Sequence, residues 1–362
     1  MVQTLIDKKA AYVTPAGDVY YRVRAKADYG KLSKRNPDEM RSGTREVFQG
    51  EKEDSLDFAL WKRDSVPEAT WPSPWGQGRP GWHIECSAMS KKFLGVSFDI
   101  HGGGRDLIFP HHENEIAQSE SANDAPFATI WVHTGLLTID KQKMSKSLGN
   151  HLLIRDVLKI WPAEVLRLGF LEHHYSSAID FSKQVFFNCH KRLLYYYETL
   201  EALDEIASKA PASEKETLLD GFTPESIVEN FHRAMSDDFH TATAIADINR
   251  VFKKSRDLLV QKKSDAKAWT AKTIARSLRE VGKVLTLFQE DPRTMLGTLK
   301  TTLLPELNIT KEEIEQAMTE RQTARKEKNF ARSDEIRATL AKRGIELRDT
   351  PQGTVWTVLY QE

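Results

Sequence analysis

The sequence is short of cysteine and has no net charge, and both shortages narrow what it can be. Its 362 residues include only two cysteines, Cys86 and Cys189. That argues against a disulfide-stapled scaffold and fits a reducing compartment. Lysine plus arginine and aspartate plus glutamate each total 52, so the formal charge is zero. A general electrostatic grip on nucleic acid is not indicated, and any RNA partner must be held by local basic patches. No run approaches the ~20 apolar residues of a membrane-spanning helix, and the opening MVQTLIDKKAAYV lacks the apolar core of a secretory signal. A cytoplasmic protein with no membrane partner is expected.

What is present is enough for two or three domains with a substantial core: 40% of residues are apolar and 29% charged. Residues 1–48 read as short strands and turns, with a hairpin turning at Pro15-Ala16-Gly17-Asp18. Residues 71–80, WPSPWGQGRP, hold three prolines and two glycines and allow neither helix nor central strand. Then follow a helix over Ile84–Leu94, a strand over Val96–Ile100, and a loop from His101 to Asp106. Next come a helix opened by Pro110 and running to about Ala122, and a strand over about Ile130–Ile139. This order predicts an α/β domain with parallel strands, although only about two strands can be counted. From about Ile154 helical periodicity dominates. Helices are expected at about 224–238, 240–263 and 266–289, with a loose stretch near 291–310, two short helices over 311–343 and a terminal hairpin at Pro351-Gln352-Gly353.

Three stretches could carry chemistry. In FPHHENEIAQ, His111 and Glu115 are four apart and share a helix face, whereas His112 is matched by Ile116. The order is not the H-E-x-x-H of a zinc protease. Cys86, one helix–strand–loop unit upstream, is the strongest candidate for a third ligand of zinc. The same residues also suit a buried small thiol and a surface His–Glu pair. His101 and Asp106 flank three glycines at the carboxyl end of a strand, where open α/β sheets bind ligands, but a plain tight turn fits equally. In KMSKSLGN, Lys143 and Lys146 bracket small residues in a loop that could bring ammonium groups onto a polyphosphate, or be a solvated basic turn.

Together these motifs are specific. KMSKS at 143–147 is the signature of class I aminoacyl-tRNA synthetases. RPGWHIECSAM at 79–89, FDIHGGGRDLIFPHHENEIAQS at 98–119, KMSKSLGN at 143–150 and the tail from Glu320 to Trp356 closely resemble cysteinyl-tRNA synthetase along essentially the whole chain. The resemblance implies ATP-dependent activation of cysteine, with magnesium, and its transfer to tRNA(Cys). It implies zinc held by Cys86, His111 and Glu115, a cysteine pocket with Trp82, His101 and Asp106, and ATP contacts from Lys146, Lys143, Ser145 and Ser147, the two lysines being catalytic. It implies four parts: 1–71, the remainder of an insertion; 72–180, the second half of a class I Rossmann-type catalytic domain; 181–292, a tRNA-recognition bundle; and 305–362, a small α+β anticodon-side domain. Cys189 is expected to be a buried structural thiol of a bundle helix, and His190 a surface or packing residue.

The sequence departs from the family pattern in one respect. No H-x-G-H motif precedes KMSKS, and no cysteine precedes Cys86. The chain is therefore expected to begin inside the insertion, to lack the first half of the sheet and one metal ligand, and to be weakly active alone. A family member is expected to be a monomer when complete, and the fragment to need a complementary N-terminal half. Two other readings stay open: the related ligase that joins cysteine to an amino-sugar, and a non-catalytic tRNA-binding fragment.

Overall fold

The computed structural model describes residues 1–40, 52–64, 66, 69–139, 141–144, 153–211, 217–350 and 353–358. It comprises two compact units, Met1–Leu136 and Leu137–Glu362.

The first unit opens with a short helix, α1 (Val2–Asp7), where only strands and turns were expected; it buries Leu5 completely. Strands β1 (Ala11–Val13) and β2 (Val19–Tyr21) form the expected hairpin, with Val13 opposite Val19. Gly17, at φ +92, is required at this turn, because a Cβ there would lie 2.8 Å from the Trp75 carbonyl oxygen. The short helix α2 (Pro37–Met40) follows. Strands β3 (Phe58–Arg63) and β4 (Gly78–Pro80) complete an antiparallel sheet in the order β1-β2-β3-β4. The proline-rich stretch thus yields only a three-residue edge strand, the position where a missing N–H is tolerated.

Helix α3 (Trp82–Leu94), strand β5 (Phe98–Gly104), helix α4 (Glu113–Asn123) and strand β6 (Ala128–Thr134) follow. β5 and β6 pair in parallel, with Ile100 beside Ile130 and His101 beside Trp131, as the strand–helix–strand order predicts. The expected loop at His101–Asp106 is corrected: the strand continues through Gly104 before a 3-10 turn at Arg105–Leu107. Glycine serves close packing here, since a Cβ on Gly103 would lie 2.8 Å from the His112 ring. α4 is bound to the antiparallel sheet by Tyr21, whose hydroxyl donates to the Ala117 carbonyl at 3.1 Å within a core of Leu5, Val19, Leu60 and Ile84.

In the second unit, β7 (Leu137–Ile139), β8 (Gln142–Lys143) and β9 (Ile179–Asp180) form a small sheet around α5 (Ile154–Ile160) and α6 (Ala163–Leu171). Helices α7 (Lys183–Ala207), α8 (Glu225–Ser236), α9 (Thr241–Leu259) and α10 (Asp265–Leu285) make the bundle. Leu193, Tyr196, Leu200, Phe252 and Leu278 are its fully buried centre. Cys189 is wholly buried on α7, and burial pushes its thiol up to about 12. The adjacent His190 is equally buried and lies 2.8 Å from the Leu299 carbonyl oxygen.

The stretch near 291–310 is not wholly loose. It contains α11 (Pro292–Thr301), with Pro292 in the first turn and Asp291 accepting from the amides of Arg293 and Thr294. The Asp291-Pro292 start is a local helix signal.

The C-terminal part has its own small core of Ile314, Ile336, Leu340, Ile345 and Leu347. It comprises α12 (Lys311–Lys326), α13 (Phe330–Lys342) and the antiparallel strands β10 (Ile345–Thr350) and β11 (Gly353–Val358). The expected turn residues Pro351 and Gln352 lie outside the described set. Thr310 and Glu313 form a reciprocal capping box at the start of α12. No helix among the described residues is long and apolar enough to cross a membrane.

Arg321 on α12, nearly buried, donates from both terminal nitrogens to Asp349 on β10 at 2.9 Å each. These bonds hold the Asp349 carboxyl far below its usual range. Because the folded form lowers this pKa, the contribution is complete above the unfolded value near pH 4 and is lost as pH falls. Asp349→Asn should destabilise the β10–β11 hairpin by about 2 kcal/mol at pH 7, with a smaller penalty at pH 3. Hydrogen exchange of the Ile345–Thr350 amides checks both values.

Candidate metal centre and active site

Helices α3 and α4 pack side by side and bring two sequence-distant stretches together. Gln118, fully buried on α4, donates from Nε2 to the His83 carbonyl at 2.5 Å and to Ser87 Oγ at 2.7 Å. Cys86 lies between those two α3 residues and so faces the start of α4. The Sγ of Cys86, a ring nitrogen of His111 and a carboxylate oxygen of Glu115 all lie within 4.8 Å of one another. His111 Nε2 is 2.6 Å from Glu115 Oε1, the i,i+4 contact that the spacing predicts.

Around this cluster the structure adds histidines that the sequence reading passed over. His83 Nδ1 lies 2.8 Å from His111 Nδ1, which fixes the second nitrogen of that ring. Burial, and then the neighbouring His111, lower the His83 pKa to about 4, so His83 is neutral at physiological pH. The contact holds the His111 ring with its Nε2 turned toward Glu115 and the Cys86 cluster. Such an outer partner orients a ligand ring.

His112 is a correction to the spacing argument, which set it aside because Ile116 lies four residues on. It is almost fully buried, and a ring nitrogen of His112, a ring nitrogen of His101 and a carboxylate oxygen of Glu115 lie within 4.8 Å of one another. Residues three apart also share a helix face. His112 Nδ1 meets His133 Nε2 on β6 at 2.9 Å. Burial, followed by the neighbouring histidines, lowers the His112 pKa to about 3.

Glu115 is 1% exposed, and its second oxygen, Oε2, lies 2.7 Å from His101 Nε2. That contact fails hydrogen-bond geometry, so Oε2 accepts no hydrogen bond among the described residues. A buried carboxylate oxygen left without a donor needs a cation or water to offset its desolvation. The donor set fits a divalent metal such as zinc. It offers one sulfur, one imidazole nitrogen and one carboxylate oxygen, at separations that paired bonds of about 2.0–2.3 Å nearly span. Burial, then Glu115, pushes the Cys86 thiol up to about 11, and a bound divalent cation reverses that preference.

Of the other expected site residues, Trp82 is largely exposed with its ring 4.6 Å from that of His111, and His101 stands on β5 against Trp131. Asp106 lies in the turn after β5. Lys143 ends β8; its side chain and residues Ser145, Lys146 and Ser147 lie outside the described set.

The comparisons bear on the same residues. The family profile described as the tRNA synthetases class I (C) catalytic domain matches residues 1–191, a DALR domain matches 230–289, and a cysteinyl-tRNA ligase anticodon binding domain matches 310–356. The cysteine–tRNA ligase of Syntrophotalea carbinolica is 47% identical over 359 residues, covering 98% of this chain and 74% of the relative. The chain belongs to the cysteine–tRNA ligase family. The enzyme of Geobacter metallireducens is also 47% identical, over 99% of this chain and 74% of the relative. A Campylobacter jejuni crystal structure assigned as an arginyl-tRNA synthetase is 12% identical, covers 80% of this chain and 60% of that one, and superposes at a TM-score of 0.50. At that identity it speaks to the fold alone. The chain is thus a class I aminoacyl-tRNA ligase, of an enzyme family that uses ATP, an amino acid and tRNA.

Glu113, two residues before Glu115, has a structural role. It is 1% exposed and accepts from the amides of Gly30 at 3.0 Å and Ser33 at 2.8 Å, tying the segment after β2 to the start of α4. Glu113→Ala should cost about 3 kcal/mol, because two amides lose a charged acceptor. Urea unfolding followed by tryptophan fluorescence measures this.

Proposed function

We propose that the chain carries the cysteine-recognising site of its family, with zinc bound by Cys86, His111 and Glu115, and that its tRNA is tRNA(Cys). The observation that carries this reading is the convergence of those three side chains around a carboxylate that is buried and only half satisfied. When bound, zinc supplies a Lewis acid that prefers a thiolate to a neutral hydroxyl, which separates cysteine from serine.

The protein's own groups do the positioning. His83 holds the His111 ring, and the wall formed by β5 and β6 sets His101 against Glu115. Trp82 and His101 line the cysteine pocket, and Asp106 serves the amino-acid end. Lys146, assisted by Lys143, neutralises charge developing on the ATP phosphates, with Ser145 and Ser147 beside them and magnesium on the nucleotide. The helices from α7 to α10 grip the tRNA body, and α12 to β11 its anticodon side. The working enzyme is a monomer. The anticodon-binding match over 310–356 favours tRNA over an amino-sugar as the acceptor.

Metal analysis of the purified chain should find one zinc per molecule. Cobalt substitution should give an ultraviolet thiolate-to-cobalt band that Cys86→Ser abolishes; a band of equal strength in the variant contradicts the ligand assignment. No H-x-G-H segment occurs within the 362 residues. Cysteine-dependent pyrophosphate exchange by this chain alone should therefore be weak, and robust exchange would sink that expectation.

A further inference from the structure

Two phenylalanines of the second unit have left-handed backbones, and they differ in what surrounds them. Phe288, at φ +60, is 1% exposed; its ring packs against Phe252 at 5.4 Å and Tyr196 at 5.7 Å. Its amide donates to Glu164 at 2.6 Å. Core packing accounts for that strained residue. Phe239, also at positive φ (+53), follows Asp238 at the same angle, yet its side chain is 61% exposed. A bulky residue in this region is an outlier that persists only where its surroundings impose it.

The surroundings do impose it. Tyr175 donates its hydroxyl to Asp238 Oδ1 at 2.8 Å, and His174 Nε2 donates to the Asp238 carbonyl at 3.0 Å. The Thr241 hydroxyl donates to the His173 carbonyl at 3.1 Å. The Phe239 and His240 amides donate back to α8, to Met235 and Ala234. The turn between α8 and α9 is thereby clamped to the segment after α6. The clamp leaves Phe239 exposed while the residues on either side of it are held: Asp238 by Tyr175 and His174, and His240 with its ring 5.0 Å from that of His174.

We propose that Phe239 is a stacking platform for an unpaired nucleotide of the bound tRNA, with His174, Tyr175 and His240 as its polar rim. Burial does not use the ring, and the strained turn leaves its face open to a partner. A single rigid aromatic among imidazoles and a phenol suits a nucleobase, which stacks on small area and meets donors at its edges. A protein interface would call for a wider apolar surround. The turn lies within the DALR match, in a family that binds tRNA, and the proposal rests on that reading.

The test compares binding of transcribed tRNA(Cys) to the 362-residue chain and to its variants across a salt series. Phe239→Ala should weaken binding about tenfold and leave the salt slope unchanged, because a stacking contact releases no counterions. Phe239→Tyr should restore affinity. Phe239→Gly should raise the melting temperature by relieving strain and still lose affinity, a split that a structural role does not produce. Unchanged affinity in Phe239→Ala overturns the platform alone, as does a loss of affinity that follows a loss of fold. Failure of the unsubstituted chain to bind tRNA overturns the tRNA reading and the platform together.

Discussion

The candidate site depends on one buried carboxylate. Glu115 is 1% exposed, with an imidazole nitrogen within 2.7 Å of each oxygen and the Cys86 thiol in the same cluster. Removing a carboxylate from water is costly unless it is paired or coordinates a cation. The surrounding imidazoles His83 and His112 have pKa values of about 4 and about 3, so at neutral pH they are dipoles rather than counter-charges. The arrangement of α3, α4 and β5 makes chemical sense as a cradle for a cation, and less sense as a packed core.

The rest of the first unit holds that cradle in shape. Gln118 joins α4 to α3, Tyr21 joins α4 to the antiparallel sheet, and Glu113 gathers the backbone around Gly30 and Ser33. Gly103 lets the β5 backbone approach the His112 ring without a clash. None of these residues needs to touch a substrate. Each fixes the position of one that is proposed to do so, which a site sensitive to displacements of about 1 Å requires.

Much of this was legible in the sequence where the signal was local. The His111–Glu115 pairing follows from helical spacing, the parallel strands from element order, and the hairpins from turn residues. What escaped the reading depended on tertiary approach. The five-histidine surround combines His83 from α3, His101 and His133 from adjacent strands, and His111 and His112 from the Ile108–His112 turn that leads into α4; only the packing brings them together. The glycine run resembled a loop because small residues resist a strand reading, whereas here they admit an imidazole. The helix α1 was missed because it buries only Leu5 and shows no period, whereas α11 was readable from its Asp291-Pro292 start and from Pro292, Leu296 and Leu299 at helical spacing. The family resemblance reached Cys86; spacing alone left it open between ligand and plain buried thiol.

The most direct test of the account is zinc-edge X-ray absorption of the purified chain, with and without cysteine. The account predicts a zinc shell with one sulfur and nitrogen or oxygen neighbours, gaining a second sulfur when cysteine is added and none when serine is added. A shell without sulfur, or one that cysteine leaves unchanged, would contradict it.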